Sequence, residues 1–200
     1  MNNDTDSFWE NRIDEHIELI RSIRTSPELL SMIAEVANVL VECFKNGNKL
    51  LICGNGGSAA DSQHIAAEFV NRFVLERPGL YAEALTVDTS ILTSIGNDYD
   101  FAFVFSRQVE AKGKRGDALL AISTSGMARN IINAVVKAKQ LGVKTIALTG
   151  HQAATGLVKN SDYHICVPSK STPRIQEAHI LIAHMLCECV ERELFEKEKK

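Results

Sequence analysis

Three stretches of this sequence concentrate side chains able to move protons, hold a cation or grip an anion. His64-Ile65-Ala66-Ala67-Glu68 sets an imidazole and a carboxylate four residues apart, which places both on one face of a helix. Such a pair can chelate a divalent cation. It equally suits an exposed helix pair worth roughly a few tenths of a kcal/mol, and spacing alone favours that plainer use. A second source of ligands is Arg174-Ile175-Gln176-Glu177-Ala178-His179-Ile180-Leu181-Ile182-Ala183-His184. Glu177 and His184 fall nearly on one stripe, whereas Gln176 lies about 80° from His184 around the helix. Spacing chooses neither between Gln176 and Glu177 nor between His179 and His184. The apolar neighbours Ile182, Met185 and Leu186 predict a partly buried His184.

Two further segments suit an anion. Gly54-Asn55-Gly56-Gly57-Ser58 follows an apolar run and opens a helix. Glycine lets the backbone turn sharply and approach a ligand closely, and the free N–H groups of a helix N-terminus favour negative charge. Ser58 can add a hydroxyl donor or simply cap the helix. Ser123-Thr124-Ser125-Gly126 follows ALLAI and precedes a helix over Ile131 to Leu141. One hydroxyl there would fit a helix cap. Three in a row, with a second glycine-rich turn elsewhere, fit phosphate oxygens better. The main rival is a dinucleotide fingerprint, since Gly54-x-Gly56-x-x-Ala59 satisfies its spacing. Its acidic residue would be Asp88, which lies beyond the usual interval of about twenty residues, and the fingerprint leaves the hydroxyl cluster without a role.

These segments need a frame. Helical spacing predicts a first helix from about Phe8 to Arg24, with Ile13, Ile17, Ile20 and Ile23 on one side. Ser26-Pro27-Glu28 reads as an N-cap followed by proline, opening a second helix to about Lys45 that Asn46-Gly47-Asn48 ends. Beyond it the period changes. LLIC around Leu51, ALTV (84–87), ALLAIS (118–123), KTIALT (144–149) and YHICV (163–167) are short apolar runs, most of them separated by helix-like segments. Continuous apolar strands alternating with helices predict a parallel five-stranded sheet covered on both faces. A last helix is expected from Arg174, ending in a solvated tail, EKEKK. The sequence reads as one domain over 1–200, with residues 1–46 as an N-terminal helical arm.

Composition excludes several classes. At 200 residues the chain can bury a core without disulfide or metal staples, and its net charge of −3 argues against nucleic acid or an anionic membrane surface as partner. No apolar run approaches membrane-spanning length. The N-terminal MNNDTDSFWE has no signal-like apolar region. Five cysteines, an odd number without a C-x-x-C pair, predict buried reduced thiols in a cytoplasmic protein.

Taken together, CGNGGSAADSQHIAAEF, IGNDYDF, LLAISTSG and RIQEAHILIAHML resemble the phosphoheptose isomerase (sedoheptulose 7-phosphate isomerase) family of the sugar isomerase (SIS) domain superfamily. The resemblance runs from about Asn46 to Leu194; the N-terminal helices match more in length than in sequence. It implies a three-layer α/β sandwich around a flavodoxin-like sheet, and a homotetramer. It implies substrate contacts at Asn55, Gly56, Gly57, Ser58, Glu68, Asn97 and Asp98 of a Gly-Asn-Asp loop, Ser123, Thr124, Ser125 and Gln176. It implies one zinc per subunit on His64, Glu68, Gln176 and His184, with Glu68 and His184 as the acid–base pair. The sequence departs from the family at Ala128, where a serine is common. A non-catalytic relative that binds the bacterial replication initiator is the alternative; such proteins differ at the metal and acid–base positions, so Glu68 and His184 favour the enzyme. Sugar-phosphate-sensing regulators carry a DNA-binding domain for which this chain has no room.

The chemistry expected of that family matches these residue types. Aldose–ketose isomerisation moves a proton between C1 and C2 through a cis-enediol, which needs a base for the carbon-bound proton and a second group to shuttle protons between oxygens. A divalent metal can polarise the carbonyl, and a remote phosphate anchor positions the reacting end.

Overall fold

The computed structural model describes residues 3–151 and 155–196. Each predicted apolar run except one forms a strand where expected: β1 (Leu50–Gly54), β2 (Ala82–Ala84), β3 (Ala118–Ser123), β4 (Lys144–Thr149) and β5 (Tyr163–Cys166). They pair in the order β2-β1-β3-β4-β5, all parallel. The helices are α1 (Asn3–Arg24), α2 (Pro27–Lys45), α3 (Gly57–Val70), α4 (Thr89–Asp98), α5 (Ser106–Lys112), α6 (Arg129–Leu141), α7 (Gly156–Asn160) and α8 (Thr172–Glu191).

Alternation along the strands divides the core in two. Leu50 and Ile52 of β1 point into a cluster with Val36 and Leu40 of α2, Ile65 and Phe69 of α3, and Ile182 and Leu186 of α8. Leu51 and Cys53 point the other way, towards Val109 of α5 and Ile131 and Val135 of α6. Helices thus cover both faces, as continuous apolar strands require. Ser26 caps α2, its Oγ accepting from Leu29 N at 3.3 Å, and Asn46 and Gly47 end it.

The exception is the second strand, which lies at Ala82–Ala84 rather than over ALTV. Pairing runs out at Leu85, whose N–H reaches Ile52 O at 2.8 Å. The chain must then turn, because Asp88 is the N-cap of α4 and accepts from Ile91 N at 2.9 Å. That capping bond occupies the carboxylate the dinucleotide reading needed. Two helix expectations also change. The Gly-Asn-Asp segment is the last turn of α4 rather than a loop. The last helix begins at Thr172 and stops at Glu191, giving way to a wider π turn over Arg192–Glu196. The tail expectation falls on residues 197–200, outside the described residues. Of the apolar stripe on α1, only the far half is covered: Ile23 is buried, while Ile13 is 59% exposed.

Candidate active site

The strand order reverses direction between β1 and β3, the switch point where open α/β sheets bind ligands. Gly54 at the end of β1 sits opposite Ile122 of β3, so the two anion loops leave the sheet side by side. In the first loop Gly56 is the N-cap of α3, with φ +57° and no side-chain capping bond. Ser58 is therefore not the cap; it lies within the first turn, 3% exposed. In the first turn of α3 Ser58 N–H donates to Asn55 O and Ala59 N–H to Gly56 O, both at 3.0 Å, and the N–H of Gly57, the first helical residue, has no intrahelical acceptor. A Cβ at Gly57 would meet the amide of Gln176, so glycine here gives that side chain room to lie over the loop. In the second loop Ser123 Oγ accepts from Gly126 N and Ser125 Oγ from Met127 N, both at 3.2 Å. Each hydroxyl keeps its own proton to donate. Gly126 takes φ +64°, the left-handed region that glycine adopts without strain.

The loops are tied together. Asn55 Nδ2 donates to Asn130 Oδ1 and Asn130 Nδ2 donates to Asn55 Oδ1, each at 2.9 Å. Asn55 therefore has its amide engaged and presents its backbone to a ligand.

Beyond the first loop, α3 and α8 bring His64, Glu68 and His184 into one cluster, their ligand atoms all within 4.8 Å of one another. The Nε2 atoms of His64 and His184 are 3.2 Å apart, and His64 Nε2 lies 3.1 Å from Glu68 Oε1. Ligands of a tetrahedral zinc at about 2.0–2.1 Å stand about 3.3 Å from each other. Donor types and spacing therefore fit a zinc-like cation. Of the residues left open by helical spacing, His184 is the histidine brought to the cluster. Glu177 faces α1, bonded to His16 Nδ1 at 2.7 Å and to Arg174, while Gln176 packs over Gly57. His179 is 1% exposed, and burial pushes its pKa down to about 4 against a weaker opposing pull from the Thr149 carbonyl.

Asn97 and Asp98 are exposed at the end of α4, where Asn97 Nδ2 donates to Asp98 Oδ1 at 2.9 Å; among the described residues no hydrogen bond joins them to the cluster. Ala128 is the N-cap of α6 and has no side-chain oxygen to offer. Several residues near the site escaped sequence reasoning. Asp61 sits one turn before His64, with Oδ2 buried and unpartnered among the described residues; burial raises its carboxyl pKa, which His64 partly offsets. The Phe73 ring lies 5.4 Å from that of His184. Asn130, the second residue of α6, follows the hydroxyl-rich loop by four residues, and that position is the available signal.

A flavodoxin-like sheet carrying two anion loops at its switch point defines a class, the SIS domain, whose family model matches residues 13–150. Phosphoheptose isomerase of Roseiflexus sp. is 53% identical over 200 residues, covering 98% of this chain and 100% of its own. That of Clostridium acetobutylicum is 51% identical over 190 residues, with 94% and 96% covered. The solved structure of a phosphoheptose isomerase from Neisseria gonorrhoeae superimposes with a TM-score of 0.87 at 40% identity, covering 94% of this chain and 98% of that one. The chain belongs to the phosphoheptose isomerase family.

Proposed function

We propose that this chain, a single SIS domain over 1–200, is an aldose–ketose isomerase converting sedoheptulose 7-phosphate to D-glycero-D-manno-heptose 7-phosphate for ADP-heptose and lipopolysaccharide-core, or capsule heptose, biosynthesis. The observation that carries it is the packing of Glu68 and His184 beside two adjoining anion loops. Backbone N–H groups of the Asn55-Gly56-Gly57 turn and the hydroxyls of Ser58, Ser123, Thr124 and Ser125 hold the phosphate and sugar oxygens, fixing the reacting carbons. Asn97 and Asp98 are proposed as further substrate contacts. Glu68 takes the proton from C1 of the ketose and returns it to C2. His184 carries the hydroxyl proton from the C1 oxygen to the C2 oxygen, so the product has the atoms of the substrate. His64, Glu68, Gln176 and His184 would hold one zinc per subunit, which when bound supplies polarisation of the sugar carbonyl.

A homotetramer is part of this reading, supported by apolar side chains left at the surface of α1 and α8, among them Phe8, Trp9, Ile13, Leu181 and Met185. A cytoplasmic setting is supported by five free cysteines. Among the described residues no helix is long and apolar enough to cross a membrane.

The test is turnover of sedoheptulose 7-phosphate by purified protein, with and without zinc and chelator, beside Glu68→Gln. Glutamine keeps the shape but cannot accept the carbon-bound proton, so turnover should fall by at least about a hundredfold with an unchanged circular dichroism spectrum. Near-normal turnover of the variant would remove Glu68 as the base.

A further inference from the structure

Behind the His64/Glu68/His184 cluster lies a buried ion pair that the reaction itself does not use. Arg77 and Glu191 have side chains 1% exposed each, with Arg77 Nε 2.9 Å from Glu191 Oε1. Charges are costly to bury unless every donor and acceptor is met, and here they are met by the backbone. Arg77 Nη2 donates to the carbonyl of Glu68 at 2.9 Å. Its Nη1 donates to the carbonyls of Phe69 at 2.7 Å, Pro78 at 3.1 Å and Asn71 at 3.3 Å. The guanidinium thus caps the C-terminal end of α3, where unpaired carbonyls and the helix dipole both favour a cation. Glu191 accepts from the N–H groups of Phe73 at 3.0 Å, Val74 at 2.7 Å and Leu75 at 2.8 Å.

The two halves of this arrangement end on the two sides of the site. Arg77 grips the residue whose side chain is the proposed base. Glu191 lies two turns beyond His184 on α8 and holds Phe73, whose ring packs at 5.4 Å against the His184 ring. α3 and α8 supply all of the cluster, and the ion pair is a direct bolt between their C-terminal ends. We infer that Arg77 and Glu191 are positioning residues that set the separation of Glu68 from His184, and with it both proton transfer and cation affinity. The inference rests on the isomerase reading for what the separation is used for.

Glu191→Gln keeps volume but replaces an acceptor-only carboxylate with an amide that cannot satisfy the same donors; Arg77→Lys keeps charge but loses the fork. In both, kcat should fall on the order of tenfold or more, and zinc affinity, read on metal-free protein by competition with a chromophoric chelator, should fall similarly. KM should change less than about twofold, because the phosphate loops lie at the other end of α3. A pair that serves only the fold would lower the melting temperature while leaving kcat and zinc affinity per folded molecule unchanged, and that result overturns the inference. Phe73→Leu leaves the ion pair intact and reads the His184 half separately; wild-type zinc affinity and kcat in that variant also count against it. If wild-type protein neither isomerises nor takes zinc, the isomerase reading fails on its own. The ring resonances of His184 in wild type and Glu191→Gln then still decide the positioning claim, which an unshifted signal overturns.

Discussion

Asn55 and Asn130 lie 75 residues apart and exchange both amide hydrogen bonds, each 2.9 Å long. Asn130 is 4% exposed and also accepts from its neighbour Ile131 N at 3.0 Å, so it is held by the start of α6 and in turn holds the glycine loop. The glycine loop is therefore tied to the helix that follows the second loop.

Removing that tie should loosen ligand binding without touching proton transfer. Asn130→Ala leaves the Asn55 amide without its partner, a loss on the order of 1–3 kcal/mol. KM for the sugar phosphate should rise roughly tenfold while kcat stays within about a factor of three. An unchanged KM would show that the loops keep their spacing without the pair.

Ala128, which the resemblance marks as a departure from a common serine, is the N-cap of α6 and makes no side-chain capping bond. Ala128→Ser supplies the missing acceptor for an orphan N–H and should stabilise the protein by about 0.5–2 kcal/mol, measured by urea denaturation. If the new hydroxyl also reaches substrate, KM falls in the same variant; a fall in KM with no gain in stability would place the side chain away from the helix end.

His179 predicts acid sensitivity with a defined window. Its folded pKa of about 4 lies below the unfolded value of about 6.5, so the unfolded chain takes up the proton first. The stability contributed by the neutral, buried ring is fully present above about pH 6.5 and is lost as pH falls towards 4, a total of about 3 kcal/mol. Denaturation at pH 7, 5.5 and 4.5 should show that slope, and His179→Leu should flatten it. An equal slope in the variant would assign the sensitivity to other groups.

Metal removal separates chemistry from folding. Chelation should slow turnover strongly yet shift the melting temperature little, since both core clusters are complete without an ion. His184→Ala should be purified with little bound metal. Full metal content in that variant, or full activity in metal-free wild type, sinks the site as described.

Strand position was legible wherever a run was buried on both faces, as for Ala118–Ser123, because nothing but a central strand needs six successive buried residues. It failed at the edge. The short Ala82-Glu83-Ala84 strand carries a half-buried glutamate tied to Lys112 at 2.5 Å, and the neighbouring ALTV looks more strand-like than the segment that pairs. The His64/Glu68 face was legible from local spacing. The different surroundings of Gln176 and Glu177 were not, because they depend on His16 of α1, which bonds Glu177 from far away in the chain. Arg77 and Glu191, 114 residues apart, leave no periodic trace at all.

The two imidazoles that face each other across the site are separated by 120 residues of chain. One arrives with the helix after the first strand, the other with the last helix. The cluster therefore cannot exist until α8 has been synthesised and has packed against α3, and a chain cut before α8 would lack both the second imidazole and the core residues Ile182 and Leu186. Assembly of the cluster thus reports that two helices far apart in the chain have both reached their places against the sheet.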